Sequence, residues 1–223
     1  MNNTGFSELV RHRRSARSFL SRQVNPAIIA AVIEEAQLAP SNCNTQPWVV
    51  HVVSGKTRDE LASAMIADAK AGRRTPDFRF EREAYKGIYQ ERNQEQARTY
   101  YEALGVTRDD KAARETAYLR NFEFFGAPHA ALLFMPAPYD VRIAGDIGMF
   151  AQNFLLSLTS RGLAGIPQAS LSYFAATTRR ILNVPEELKL FFGISFGYAD
   201  EQHPGHGFSL GRAPLEENVV FHV

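Results

Sequence analysis

Three short apolar runs, separated by stretches with helical spacing, do most to limit what this chain can fold into. Residues 48–53, 130–135 and 190–197 are rich in β-branched and bulky side chains and read as buried strands. Before the first run, Asn25 and Pro26 supply an N-cap and a first helical residue. Ile28, Ile29, Val32, Ile33 and Ala36 then fall on one helical face, which Pro40 ends. Residues 57–70 read as a helix. The longest helical pattern, 143–161, carries Ile147, Ala151, Phe154, Leu155 and Leu158 in one stripe, with Gly162 placed as its C-terminal cap. Residues 165–170 read as short and irregular, 175–183 as a helix stopped before Pro185, and 219–221 as a last short strand. Strands interleaved with helices imply an α/β or α+β sandwich.

Residues 71–125 stand apart. They carry many charges and the aromatics Phe78, Phe80, Tyr85, Tyr89, Tyr100 and Tyr101. Two or three helices are expected, with Gly105 between them and 114–125 completing the last. The segment reads either as an excursion covering a site or as amphipathic surface helices.

At 223 residues the chain fits one domain, or one domain with an excursion. The formal net charge of +1 gives no global basic field, so nucleic acid is not an expected partner. No apolar run reaches membrane-span length, and no signal-peptide core follows the basic amino terminus. A single cysteine, Cys43, excludes an internal disulfide. The expectation is a cytoplasmic protein with no membrane partner.

Against that neutral background, residues 11–17 concentrate positive charge, and no carboxylate lies between Glu8 and Glu34. Arginine makes paired hydrogen bonds to phosphate, and Ser15 adds a hydroxyl. Taken alone, Arg13, Arg14, Ser15 and Arg17 form either a pocket for a compact anion or a solvated basic turn. Residues 40–47 pack carboxamides and hydroxyls between two prolines. Such groups donate and accept at once and suit a heterocycle or a ribityl chain; the alternative is a helix-stopping turn. Residues 165–170 hold Gly165 and Pro167 close together and either turn backbone amides to a ligand or form a plain loop.

Other chemistries find little support. There is no HExxH, no Cys/His set at metal spacing, no P-loop, no GxGxxG after a strand and no GxSxG elbow. His203 and His206 flank Pro204-Gly205 and read as loop residues rather than metal ligands. Cys43 reads as a buried or loop thiol. A bound organic cofactor would then supply the chemistry.

These motifs, in order, resemble the FMN-dependent nitroreductase family. The likeness begins with Arg13-Arg14-Ser15-Ala16-Arg17-Ser18-Phe19 and continues through Ala39-Pro40-Ser41-Asn42-Cys43-Asn44-Thr45-Gln46-Pro47-Trp48. Gln152-Asn153, Arg161-Gly162-Leu163, Pro167-Gln168, Val184-Pro185-Glu186, Gly193-Ile194-Ser195-Phe196-Gly197-Tyr198 and Gly211-Arg212-Ala213-Pro214-Leu215 follow. Any one motif is weak; their joint order is specific. Little within 71–120 aligns.

The resemblance implies an α+β fold, with a central, mainly antiparallel sheet flanked by helices in an intertwined homodimer that holds FMN at its interface. It implies that Arg13, Arg14 and Ser15 hold the phosphate or ribityl oxygens, and that Arg17 approaches the phosphate or the pyrimidine edge. Arg212 returns from the tail to the phosphate. Pro40, Ser41, Asn42 and Asn44 line the second subunit's side of the cofactor. Pro167, Gln168, Ala169 and Ser170 lie beside the reactive edge, the last two through backbone N–H groups. Some family branches carry Glu-Gly where this chain has Gln168-Ala169-Ser170. The implied activity is ping-pong transfer of hydride from NADPH or NADH, through flavin N5, to a small nitroaromatic or related electron-poor acceptor. Tyr85 or Phe124 is expected to stack on that acceptor, and Arg73, Arg74, Arg79 and Arg82 either attract carboxylated substrates or face water. A flavin, quinone or enone reductase, or a non-catalytic FMN-binding regulatory protein, would share these features.

Overall fold

The computed structural model describes residues 5–222, apart from Phe80, Tyr139, Gly207 and the side chain of Arg82. Phe80, one of the expected aromatics, therefore lies outside the described residues. Four strands, β1 (Val49–Ser54), β2 (His129–Pro136), β3 (Ala164–Gln168) and β4 (Leu188–Gly197), form a sheet of order β1-β2-β4-β3. Every pairing is antiparallel. The α+β expectation of a central antiparallel sheet is met.

Strand β2 is the centre of the core. Its alternate residues serve two apolar layers. Ala130, Leu132 and Phe134 pack on one face with Leu61 and Met65 of helix α3 (Gly55–Lys70) and Ala175 of α7 (Ala175–Leu182). Ala131, Leu133 and Met135 pack on the other face. Their partners there are Val32 and Ala36 of α2 (Pro26–Ala36) and the Ile147–Leu158 stripe of α6 (Val141–Ser160). The helix signals act as expected. The Asn25 side chain accepts from the Ala27 N–H at 2.9 Å, and Gly162 takes a φ of +69° just past the end of α6.

Four expectations need correction. Residues 165–170 are not irregular: the first four belong to β3, an edge strand. Pro167 fits there because an outer strand does not need every N–H. Residues 48–53 do make a strand, but an edge strand that is only partly buried, with Val52 exposed. The helix expected to reach residue 125 is α5 (Lys111–Leu119). The chain leaves helical geometry beyond it, through left-handed φ values at Phe124, Phe125 and Gly126. The Arg58 guanidinium fastens this turn by donating to the carbonyls of Glu123 and Ala127. Finally, residues 219–221 join no strand of their own chain, and Val220 and Phe221 are 75% and 74% exposed.

Within 71–125, α4 (Ile88–Ala103) and α5 flank Gly105. The start of the segment is pinned to the core by a buried ion pair. Asp77 accepts from both Arg179 and the Leu190 N–H, and its side chain is only 7% exposed.

Candidate functional site

Helix α1 (Phe6–His12) ends where Arg13 caps it, its N–H donating to the Leu9 carbonyl at 3.0 Å. The chain then runs out along the free edge of β3. Ser15 bridges Gly165 in a parallel sense, and Phe19 bridges Ala199. Buried Ala16, Ser18 and Phe19 anchor this segment, which leaves Arg13, Arg14, Ser15 and Arg17 facing outward. Gly165 makes the approach possible. A Cβ there would stand 2.8 Å from a Leu155 methyl on α6, so a larger residue would make the leucine side chains of α6 shift.

The tail folds back across the same region. Arg13, Arg14, Ser15, Arg17, Pro167 and Arg212 line one cavity of about 640 Å³, as do Gln152, Leu155 and Phe208. Among the described residues, none of these arginines has a carboxylate within ion-pair distance; the ion pairs present all involve other arginines. Partial burial, and then the charge of Arg212, lower the pKa of the Arg13 guanidinium. Burial also lowers that of Arg17, against a raising effect from Tyr100. Arg17 donates to the Ser15 carbonyl at 3.3 Å and lies over the rings of Tyr100 and Phe208. Arg212 donates to the carbonyls of Leu210 and Gly211. Cations gathered without counter-charge repel one another, and a compact polyanion relieves that repulsion through charge-assisted hydrogen bonds.

The other expected residues sit elsewhere. Gln168 turns its side chain inward: it accepts from the Ser195 hydroxyl and donates to the Asn121 carbonyl at 3.0 Å. Ser170 donates to the Asn121 side-chain oxygen at 3.2 Å. Gln168 is thus a tie to the core, and Ala169 and Ser170 open a 3₁₀ turn just past the cavity wall. Pro40, Ser41, Asn42 and Asn44 do not reach the cavity of their own chain. Their loop is held at the other end of α6, where the Asn42 N–H donates to the Asp146 carboxylate at 3.1 Å. Six to nine residues of helix separate Asp146 from Gln152 and Leu155, about 9–14 Å along the axis. Cys43 is exposed in this loop, with a φ of +50°.

Both expected substrate aromatics fall outside the cavity. Tyr85 lines a separate groove beside Glu83, Lys86 and Gln90. Phe124 exposes none of its surface and is packed in the core under Arg58, so it has no face to offer a substrate. Arg73 is paired with Asp68, and Arg74 donates to the Tyr118 hydroxyl and lies over Tyr173. Sequence reading missed the roles of Phe208 and Tyr100 beside Arg17. Neither lies near Arg17 in the chain or shares a periodicity with it, so no local signal pointed to them.

The sequence matches the model of the nitroreductase family over residues 10–198. The chain belongs to that family. Nitroreductase NfnB of Mycolicibacterium smegmatis is 43% identical over 213 residues, which span 96% of this chain and 91% of that protein. A 4-nitrobenzoate reductase of a Nocardioides species is 33% identical over 220 residues, 97% of this chain and 89% of the relative. The crystal structure of FMN-dependent NfnB from Mycobacterium smegmatis in complex with NADPH superposes with a TM-score of 0.95 at 42% identity, covering 97% of each chain. The nitroreductase fold thus accounts for the antiparallel sheet and for the edge strand that carries the arginine segment.

Proposed function

We propose that this chain is an FMN-dependent oxidoreductase that takes hydride from NADPH or NADH and reduces small nitroaromatic acceptors. Membership of the nitroreductase family and the names of the relatives support the class of reaction. One observation in the chain itself carries the reading: five arginines, Arg11 with Arg13, Arg14, Arg17 and Arg212, and the Ser15 hydroxyl line one cavity, and among the described residues no carboxylate pairs with them. FMN fits that donor set. Arg13, Arg14, Arg212 and the Ser15 hydroxyl would hold the phosphate and the ribityl oxygens. Arg17 would hold positive charge near the flavin's pyrimidine edge. Pro167 would form the wall beside the reactive edge, with the Ala169 and Ser170 N–H groups beyond it. The first N–H groups of a helical turn have no partner within that turn, which suits them to donate to a ligand there. When bound, FMN supplies the redox chemistry, accepting hydride from the nicotinamide and passing the electrons to the acceptor. The protein positions the flavin and holds charge beside it.

The active form in this reading is a homodimer. Pro40, Ser41, Asn42 and Asn44 are too far from their own cavity to serve it, and would serve a partner's. Phe6, Leu38, Met149, Val220 and Phe221 are exposed apolar residues that an interface would cover. The 71–125 segment is read as an excursion from a single domain. No helix of the described residues is long and apolar enough to cross a membrane. A lone thiol suits the cytoplasm.

The deciding experiment is an absorbance spectrum of the purified protein before and after anaerobic NADPH or NADH. A flavin spectrum that bleaches supports the reading. A protein that stays colourless when offered FMN removes it, and a flavin that does not bleach leaves only a binding role. Light scattering should give twice the chain mass; a fully active monomer would contradict the shared site. Rates with nitrobenzene and 4-nitrobenzoate then test whether a carboxylate on the acceptor matters.

A further inference from the structure

We propose that Tyr100 and Phe208 are positioning residues for Arg17: they fix its guanidinium at the cavity wall while leaving its charge unspent, so that a helix outside the site sets how tightly the site holds flavin. The proposal rests on the reading of this cavity as the FMN site.

The three groups form a nearly equilateral triangle. The guanidinium carbon lies 5.1 Å from the Tyr100 ring centre and 4.9 Å from that of Phe208, and the two ring centres are 5.7 Å apart at a tilt of 47°. Tyr100 comes from α4 and is buried; Phe208 comes from the tail and lines the cavity beside Arg17. Among the described residues, the remaining hold on Arg17 is its 3.3 Å donation to the Ser15 carbonyl. A carboxylate in place of the rings would fix Arg17 equally well, but it would cancel the field the cavity needs. A ring attracts a cation through its quadrupole and carries no net charge. Orientation is thus gained without neutralisation.

The ring, and not the hydroxyl, is what Tyr100 contributes to Arg17: the Tyr100 hydroxyl is buried and, among the described residues, has no hydrogen-bond partner. The cradle is also braced from behind. Tyr101 packs on Tyr100 at 5.6 Å, and Arg114 of α5 lies 3.9 Å over Tyr101. The turn at Pro204–His206 leads the tail against the end of α4, where a Cβ on Gly205 would sit 3.3 Å from a Leu104 methyl. Helix α4 and the tail therefore meet at one cation of the site, with α5 bracing α4 through Tyr101.

The test titrates apoprotein with FMN by quenching of flavin fluorescence, and measures the midpoint potential of each reconstituted protein. Tyr100→Leu and Phe208→Leu should each weaken FMN binding about tenfold and make the bound flavin harder to reduce. Tyr100→Phe should restore wild-type affinity. In an Arg17→Ala background, Tyr100→Leu should have no further effect on binding. The proposal is overturned if both leucine variants bind FMN as tightly as wild type. It is also overturned if Tyr100→Leu costs the same with and without Arg17, or if Tyr100→Phe is as damaging as Tyr100→Leu. Should Tyr100→Leu not fold, Phe208→Leu decides, since Phe208 is only partly buried. A wild-type protein that binds no FMN defeats the cofactor reading instead, so the two failures are distinct.

Discussion

Arginine does opposite work in two regions of this molecule. Away from the cavity, Arg58, Arg73, Arg161 and Arg179 each meet a carboxylate, and Arg58, Arg161 and Arg179 also bond to backbone carbonyls. They fasten segments together. At the free edge of β3, Arg13, Arg14, Arg17 and Arg212 share a cavity, and no carboxylate among the described residues answers them. The chain has 24 acidic residues for 25 basic ones, so the absence is a matter of placement and not of supply. Paired arginine reports architecture here; unpaired arginine in a concave site is placed to meet an anion.

The contrast is sharpest at the buried pair. Asp77→Ala would leave Arg179 with its charge uncompensated in the core and should destabilise the protein by about 3–5 kcal/mol in chemical denaturation. FMN affinity of the folded protein should not change; if it falls tenfold, the two regions are not separate. Arg13→Ala should do the reverse. Loss of charged hydrogen bonds to the ligand would cost about 2–3 kcal/mol, roughly 30–150-fold in FMN dissociation constant. The apoprotein should melt no lower than wild type, since repulsion with Arg212 is relieved. A lower apo melting temperature with unchanged FMN binding would assign Arg13 to the architectural set.

A smaller effect concerns a cationic form that burial disfavours. His129 is buried, stacks on Phe196 and accepts the Val24 N–H at Nε2, and burial lowers its pKa. A lowered folded-state pKa means that this imidazole stabilises the protein above the unfolded value near 6.5, and that the contribution is lost as pH falls through the folded value. Unfolding free energy should therefore drop between about pH 7 and pH 5, by at most about 1.4 kcal/mol per pH unit for this group. A flat profile over that range would mean that His129 takes up a proton freely in the folded state. The smallest change is expected at the surface. Bonding first to Arg161 and then to Ser157 holds the Glu35 carboxyl at about 2, but Glu35 is half exposed. Solvent screening leaves such a pair under about 1 kcal/mol. Glu35→Gln should cost no more than that at neutral pH, and the difference from wild type should vanish as acid protonates the wild-type carboxyl through about 2. A larger loss would place Glu35 among the buried ties.

Much of the frame could be read from the chain because it rests on local rules. Asn25-Pro26 starts a helix through a side-chain cap and a preset φ, and Gly162 ends one through left-handed φ; both are properties of neighbours in sequence. The apolar stripe of α6 and the alternation of β2 obey the same logic. The identity of the ligand was partly legible too, since an arginine segment without nearby acids constrains its own chemistry wherever it lands. What escaped the reading was non-local. Residues 164–168 became a strand because β4 supplied an edge, and Gly165 lets that strand pack against Leu155 without displacing its side chain.

Phe124 was indistinguishable in sequence from a substrate-facing aromatic until the turn at Phe124–Gly126 drove it into the core. Gln168 faced inward because Ser195 and Asn121 arrived to meet it. The sequence by itself determined most of the helices, most of the strands and the kind of charge available to the site, because capping, periodicity and side-chain chemistry act over a few residues. Only the tertiary structure decided which arginines would go unpaired and which rings would hold Arg17. Charge pairing and aromatic contact depend on distance in space, and Tyr100, Phe208 and Arg212 reach the amino-terminal arginines only after the chain has closed around its sheet.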